Sequence, residues 1–307
     1  MRFVLTIAGF FLFSFAAGAA TCGPDKLGTS RVLEVGTQGG LQIGLKSYPR
    51  ALKLADHEVI LTFDDGPDAT LTRRILDALA EQCVRATFFV IGAKVDASPD
   101  LARRELAEGH TIAHHTYTHP QPTLSFMSAA QARADILRGM MTVERVIYGA
   151  KFPDGEPKDI ADLNLHTPFF RFPGFADTAE LENWFAANNV ATLSTDLWAS
   201  DWLPMTSDAE LKLIFARLDK AGRGMLLLHD RVAWTADMLP GFLAELRKRH
   251  YSIVHIVAGP GPAATVPAPA GWISETGRTV GSIKPRLDTS APVRAKGPIV
   301  VKPAPSE

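Results

Sequence analysis

Two pairs of chemically active side chains follow apolar runs in this sequence. Asp64 and Asp65 come directly after an apolar run ending at Phe63 and open a Gly-Pro turn. His115 and His119 are four residues apart, so in a helical turn their imidazoles would share one face and grip one ion. Either pair alone is weak evidence for a functional site, because aspartate is common in turns and paired histidines often lie on the surface or in the core. Together, two imidazoles and one carboxylate leave open positions on a divalent metal, which predicts a catalytic metal site.

Three more polar side chains lie at or beyond the ends of other predicted strands. Arg171 is near the end of one strand, Asp201 follows the next, and His229 follows a third. Catalytic groups of parallel barrels gather at the carboxyl ends of the strands, so we expect these residues to meet the aspartates and histidines. A carboxylate beside arginine stays ionised, as a base must, and a histidine beside aspartate has a raised pKa, as an acid requires. A base and an acid beside a metal-activated water are compatible with metal-assisted hydrolysis.

The order of the predicted elements indicates the fold that would position these residues. Strands alternate with helices over some 200 residues, which predicts parallel βα units and suggests a barrel. The polar segment 149–166 is interpreted as a long loop. Apolar runs predict strands at 58–63, 86–91, 167–172, 190–194, 225–228 and 252–257, and helical spacing predicts helices at 71–83, 99–107, 136–147, 179–187, 209–221 and 238–249.

The two ends of the chain differ from the rest in composition. Arg2, an apolar run and a small-residue Ala-Gly-Ala segment predict a secretory signal peptide over residues 1–20, a run shorter than a membrane span needs. From residue 259 the chain is rich in proline and small residues, so 259–307 is interpreted as a disordered tail. The functional domain is therefore expected over 21–258.

Export implies an oxidising compartment, in which the two cysteines of the sequence could form a disulfide. A disulfide between Cys22 and Cys83 is expected, and two unrelated thiols or a lipid-anchored Cys22 are the alternatives. The chain of 307 residues has a formal net charge of -1, so it has no broad basic surface of the kind that binds nucleic acid.

Five short motifs follow one another along the chain: TFDDGP at 62–67, HTYTH at 115–119, RFPG at 171–174, DW at 201–202 and LLH at 227–229. In sequence and in order they resemble the motifs of the polysaccharide deacetylase family, also called the NodB-homology domain or carbohydrate esterase family four. The resemblance covers roughly Val59 to Asp230. It implies a distorted (β/α) barrel with seven or eight parallel strands.

The resemblance implies a role for each matching residue. Asp65, His115 and His119 would hold a divalent metal, usually zinc, with cobalt and nickel left open. Asp64 would be the general base, and Arg171 would orient it.

The remaining motifs imply the acid and the substrate pocket. His229 would be the general acid, paired with Asp201. Trp202 and Leu227 would line the pocket for the acetyl methyl group, and the backbone N–H of Gly174 would help to hold the oxyanion.

The sequence departs from the family pattern at three places. Ala113-His114 stands where the family usually has Gly-Asn, so His114 is kept outside the metal site, with a supporting role open to it. Gly174-Phe175 reverses the usual aromatic-then-glycine order, which affects the expected sugar contacts. The fourth motif is loose, so Asp196 is the alternative to Asp201.

The resemblance implies removal of N-acetyl groups from an amino-sugar polymer or oligomer by a secreted or periplasmic enzyme. Peptidoglycan, chitin-like oligomers and exopolysaccharide remain open as substrates. An O-acetyl glycan esterase of the same fold is the alternative. A barrel that only binds glycan is a third hypothesis, but the base, the metal ligands and the acid are all present. The partner is an acetylated glycan, with no nucleic acid and no membrane span after signal cleavage; the sequence does not indicate an oligomeric state.

Overall fold

The computed structural model describes residues 23–153 and 155–277. The strands are β1 Thr29–Gly36, β2 Gln42–Ile43, β3 Arg50–Leu52, β4 Glu58–Asp64, β5 Thr87–Val90, β6 Thr111–His114, β7 Phe169–Phe170, β8 Ala191–Leu193, β9 Leu197–Trp198, β10 Gly224–His229, β11 Ser252–Gly259 and β12 Thr265–Pro267. The helices are α1 Leu71–Glu81, α2 Gly92–Ala97, α3 Pro99–Ala107, α4 Ala129–Val146, α5 Ala179–Ala187, α6 Ser207–Ala221 and α7 Ala233–Lys248. Short 3-10 turns lie at Leu124–Phe126, Ile160–Asp162 and Pro173–Phe175.

One parallel sheet organises the molecule, with β4 at its centre. β4 pairs with β5 on one edge and with β10 on the other, and its first residues also pair with β11. From β5 the order continues through β6, β7 and β8 to β2, while β10 continues to β9 and β11 to β1. The predicted α/β fold with a distorted barrel is confirmed. The sheet has ten strands in the part of the chain described, more than the seven or eight expected, because β1, β2 and the two-residue β9 join it.

The side chains of β4 alternate between two cores. Val59, Leu61 and Phe63 pack with residues of the surrounding helices. Ile60 instead belongs to a second cluster formed with residues of neighbouring strands, such as Phe89, which fills the barrel interior. Successive strand residues point to opposite faces, so a strand buried on both faces reads as a continuous apolar run. The same alternation places Thr62 and Asp64, the last residue of β4, on the interior side.

The end of the described chain differs from the expected disordered tail. β12 pairs antiparallel with β3, and Trp272 Nε1 donates to the carbonyl of Leu45 at 2.7 Å. Glu275 forms an ion pair with Lys46 at 2.7 Å. These bonds tie residues 265–277 to the barrel in spite of their composition, whereas residues 278–307 lie outside the described part.

The predicted signal peptide and Cys22 also lie outside the described residues, so the signal peptide and the Cys22–Cys83 disulfide stay predictions. Within residues 23–277, apart from 154, every helix is too short or too polar to cross a membrane.

Two helix glycines give a direct test of how tightly α4 packs. A Cβ on Gly139 would lie 2.5 Å from the carbonyl carbon of Thr116, whereas a Cβ on Gly241, in α7, would meet nothing within 4 Å. We expect Gly139→Ala to lower the free energy of unfolding by about 1–3 kcal/mol, since α4 must move away from backbone. Gly241→Ala should leave it unchanged or raise it by about 0.5–1 kcal/mol, because alanine is the better helix former. Urea unfolding of both variants checks this, and equal effects would contradict the packing described.

Candidate metal centre and catalytic site

The turn after β4 presents two carboxylates in different directions. Asp64 ends the strand, and Asp65 adopts a left-handed backbone with φ 77°. Aspartate tolerates this conformation better than most residues. The next residue is glycine, and a Cβ on Gly66 would lie 1.9 Å from a carboxylate oxygen of Asp230, so a larger residue would displace that side chain. Both aspartates are 3% exposed, so their charges need partners.

Asp65, His115 and His119 converge at one point. Asp65 Oδ1 lies 3.4 Å from His115 Nε2 and 3.3 Å from His119 Nε2. Two ligands about 2.0–2.1 Å from a tetrahedral ion are roughly 3.3 Å apart, so the spacing fits a metal. Asp65 Oδ1 is buried and accepts no hydrogen bond from the described residues, which leaves it for a cation.

The two histidines meet through a loop and not through the helical turn considered from their spacing. Thr116 has φ 68° and His119 has φ 51°, both in the left-handed region. The reversed backbone brings the His119 ring to 5.2 Å from that of His115. The interpretation of this segment as a helical turn is therefore wrong, but the two imidazole rings do lie side by side, as that interpretation expected.

Hydrogen bonding orients the His115 ring. Its Nδ1 donates to the carbonyl oxygen of Arg171 at 2.6 Å, which leaves a lone pair on Nε2 towards Asp65. Burial lowers the pKa of His119, and the neighbouring His115 lowers it further, so this ring too favours the neutral form that binds metals.

Asp64 is held by a fully buried arginine. Arg171 Nη1 donates to Asp64 Oδ1 at 2.6 Å and to Thr62 Oγ1 at 2.9 Å. Its Nε and Nη2 donate to the carbonyls of Leu193 and Ser194 at 2.9 and 2.8 Å. A guanidinium fixed in this way supplies a permanent positive charge beside the carboxylate.

His229 and Asp201 form a second pair on the other side of the cavity. His229 Nδ1 donates to Asp201 Oδ1 at 2.7 Å, and its backbone N–H donates to Oδ2 at 2.7 Å. Burial alone would lower the pKa of His229, but the charge and hydrogen bond of Asp201, with smaller contributions from Asp65 and Asp64, raise it to about 9. The alternative, Asp196, accepts from the backbone N–H groups of Leu45 and Met225 and is not the residue bonded to His229.

These groups open into one cavity of about 440 Å³ with an aromatic wall. Leu227, Gly174 and the half-exposed Trp202 line it, as expected. Arg171 and Asp201 are not in the lining but contact the lining residues Asp64 and His229 from behind. The full lining is Asp64, Asp65, His115, His119, Phe172, Gly174, Phe175, Trp198, Trp202, Leu227, His229, Arg231 and Thr276.

His114 is fully buried on β6 and is not part of the cavity wall. Burial lowers its pKa to about 4, against a smaller opposing effect of the Thr167 backbone. A neutral histidine of this kind fills the core.

Three lining residues escaped the sequence analysis. Arg231 contacts Asp65, Trp198 packs edge-on against Trp202 with ring centroids 5.5 Å apart, and Thr276 comes from the end of the described chain. Arg231 stands only two residues beyond His229, which is the one signal that pointed to it. Thr276 lies in the segment interpreted as a tail.

Sequence comparison with known proteins points to one family. Residues 52–152 match the family model described as polysaccharide deacetylase. A chitooligosaccharide deacetylase from Bradyrhizobium is 47% identical over 172 residues, covering 56% of this chain and 70% of the relative. A peptidoglycan-N-acetylglucosamine deacetylase from Listeria monocytogenes is 49% identical over 198 residues, covering 64% of this chain and 38% of the relative.

A solved structure gives the same family. A peptidoglycan deacetylase from Bdellovibrio bacteriovorus has a TM-score of 0.64 at 27% identity, covering 76% of this chain and 60% of that one. This chain spans less than half the length of several curated relatives that it matches. The motifs, the barrel and the similarity along both chains agree, and the protein belongs to the polysaccharide deacetylase family.

Proposed function

We propose that this protein is a metal-dependent hydrolase that removes N-acetyl groups from N-acetylglucosamine units of a glycan. The observation that carries this proposal is that three features meet at one cavity. They are the cluster of Asp65, His115 and His119, the carboxylate of Asp64 held by Arg171, and His229, whose pKa is raised. Chitooligosaccharide and peptidoglycan deacetylases among the relatives support the amino-sugar substrate.

Asp65, His115 and His119 are proposed to hold the ion, which we take to be zinc because two imidazoles and one carboxylate suit it. When bound, it supplies polarisation of the acetyl carbonyl and a lower pKa for a water molecule. Cobalt and nickel fit the same donors.

Asp64 is proposed to take the proton from the attacking water. Its Oδ1 is occupied by Arg171, so Oδ2, which lies 4.0 Å from His115 Nε2, is the oxygen that faces the metal ligands. The hydrogen bond from Arg171 fixes the direction of this carboxylate.

His229 is proposed to protonate the departing amine. Asp201 holds Nδ1–H, so that the proton on Nε2 is the one available to the cavity. An amine is a poor leaving group, so its protonation is needed before the carbon–nitrogen bond breaks.

The cavity wall is proposed to select the acetyl group. Trp202 and Leu227 enclose the methyl group, and the backbone N–H of Gly174 donates to the oxyanion. We also propose a secreted or periplasmic location, which the predicted signal peptide at residues 1–20 supports; export would in turn allow the expected Cys22–Cys83 disulfide.

Acetate release from chito-oligosaccharides by the purified chain tests the function. We expect a chelator to abolish release and zinc to restore it, because the water and the carbonyl are activated only at the loaded site. Acetylated xylan, assayed in parallel, separates the amide from the ester substrate. Release that persists after complete metal removal would contradict the proposal, and release from xylan alone would favour the esterase alternative.

Asp64→Asn tests the base. The amide keeps the size of the side chain but cannot accept the proton, so we expect the deacetylation rate to fall about 10²–10⁴-fold while zinc content is unchanged. Asp237→Asn is the matched control, since Asp237 is half exposed and pairs with Arg74 on the surface. Turnover by the Asp64 variant at the control's rate would show that another group is the base.

Asp201→Asn tests the acid through its pH dependence. A raised pKa keeps His229 protonated to higher pH, so the acid is present below this pKa and is lost as the pH rises through it. Removing the Asp201 charge lowers the pKa, so the alkaline fall in the rate should move to lower pH. A bound cation lowers the pKa in both proteins, and the direction of the difference is the prediction. Rate–pH profiles of the two zinc-loaded proteins measure it, and superimposable alkaline limbs would refute the pairing.

A further inference from the structure

The two oxygens of the Asp65 carboxylate have different surroundings. Oδ1 faces His115 and His119 and accepts no hydrogen bond from the described residues. Oδ2 accepts a hydrogen bond from Arg231 Nε at 2.7 Å. The carboxylate is almost fully buried, whereas Arg231 is half exposed at the cavity wall, in the turn between β10 and α7.

Each aspartate of the β4 turn therefore has its own arginine. Arg171 reaches Asp64 from the barrel interior, and Arg231 reaches Asp65 from the side open to the cavity. The metal ligands assigned above do not include either arginine. The first belongs to a motif of the family, and the second lies beyond the last motif.

Without Arg231, Oδ2 would have two other uses. It lies 4.0 Å from His229 Nε2, so it could accept the proton that the acid must give to the substrate. It could also join Oδ1 on the ion, and a carboxylate bound through both oxygens takes a coordination position that catalysis needs open. A guanidinium is suited to prevent both, since it is permanently charged and holds a carboxylate oxygen in a fixed direction.

We propose that Arg231 is a positioning residue of the metal centre, which occupies Asp65 Oδ2 and leaves Oδ1 alone to bind the ion. This inference rests on the metal site of the proposed function. It assigns to Arg231 control over how many oxygens Asp65 gives to the metal and over the separation of Asp65 from His229.

The test uses cobalt as the metal, because its visible absorption weakens when its coordination number rises. The purified chain, Arg231→Ala and Arg231→Gln are loaded with Co²⁺, and their spectra and their cobalt dissociation constants, by competition with a chelator, are compared. Arg74→Ala is the matched control, since Arg74 also pairs with an aspartate but on the surface. Circular dichroism of each protein checks the fold.

We expect Arg231→Ala to give a weaker cobalt spectrum, because Oδ2 then joins Oδ1 on the ion, and a lowered dissociation constant, because the ion gains a ligand oxygen and loses a neighbouring positive charge. Arg231→Gln, which keeps one N–H donor, should lie between it and the unmodified chain, and Arg74→Ala should match the unmodified chain. If the unmodified chain and Arg231→Ala bind cobalt with the same spectrum and affinity, the inference is wrong while the metal site stands. If the unmodified chain takes up no cobalt, the proposed function falls and this inference falls with it.

Discussion

The buried guanidinium of Arg171 is the interaction on which the rest of the site depends. A buried charge is tolerated only when it is paired and its donors are satisfied. Its donors are paired with Asp64, at the end of β4, and with the carbonyls of Leu193 and Ser194, at the end of β8. The carbonyl of the same residue holds His115. Arg171 thus orients the proposed base through its side chain and one proposed metal ligand through its backbone carbonyl.

Charge balance explains how three of the buried carboxylates at this end of the barrel coexist. Asp64, Asp65 and Asp201 are each at most 3% exposed, so their mutual repulsion is little screened by water. Asp64 is paired with Arg171, and Asp201 is paired with His229. Asp65 keeps one oxygen that no described donor fills, which makes it the acceptor left for a cation. The three environments therefore match the three proposed roles: Asp64 beside Arg171 as the base, Asp201 as the partner of the acid His229, and Asp65 as a metal ligand.

The fold and the meeting of the site residues could both be predicted from the sequence. Alternating strands and helices indicate a parallel barrel, and the carboxyl ends of its strands lie close together. β4 and β10 are adjacent and in register, with Asp64 opposite His229, although 164 residues separate them in the chain. The alternation of strands and helices implies this neighbourhood in general terms. The path between the metal histidines could not be predicted, because the left-handed conformations of Thr116 and His119 leave no mark in residue spacing. The contact of Arg231 with Asp65 depends on a turn whose direction only the folded chain reveals.

The proposed chemistry and the choice of glycan rest on different parts of the chain. Asp64 and His229 end the paired strands β4 and β10, whose ladder hydrogen bonds fix the proposed base and the proposed acid relative to each other. The outer wall includes Trp198, in the short β9, and Thr276, beyond the barrel's last strand. Thr276 is held through Ser47 at 2.9 Å, and Lys46 covers the Trp198 ring at 4.4 Å while pairing with Glu275. The segment 265–277 therefore shapes the rim of the cavity. It carries none of the five motifs, so motifs that indicate the proposed reaction do not indicate which glycan would enter.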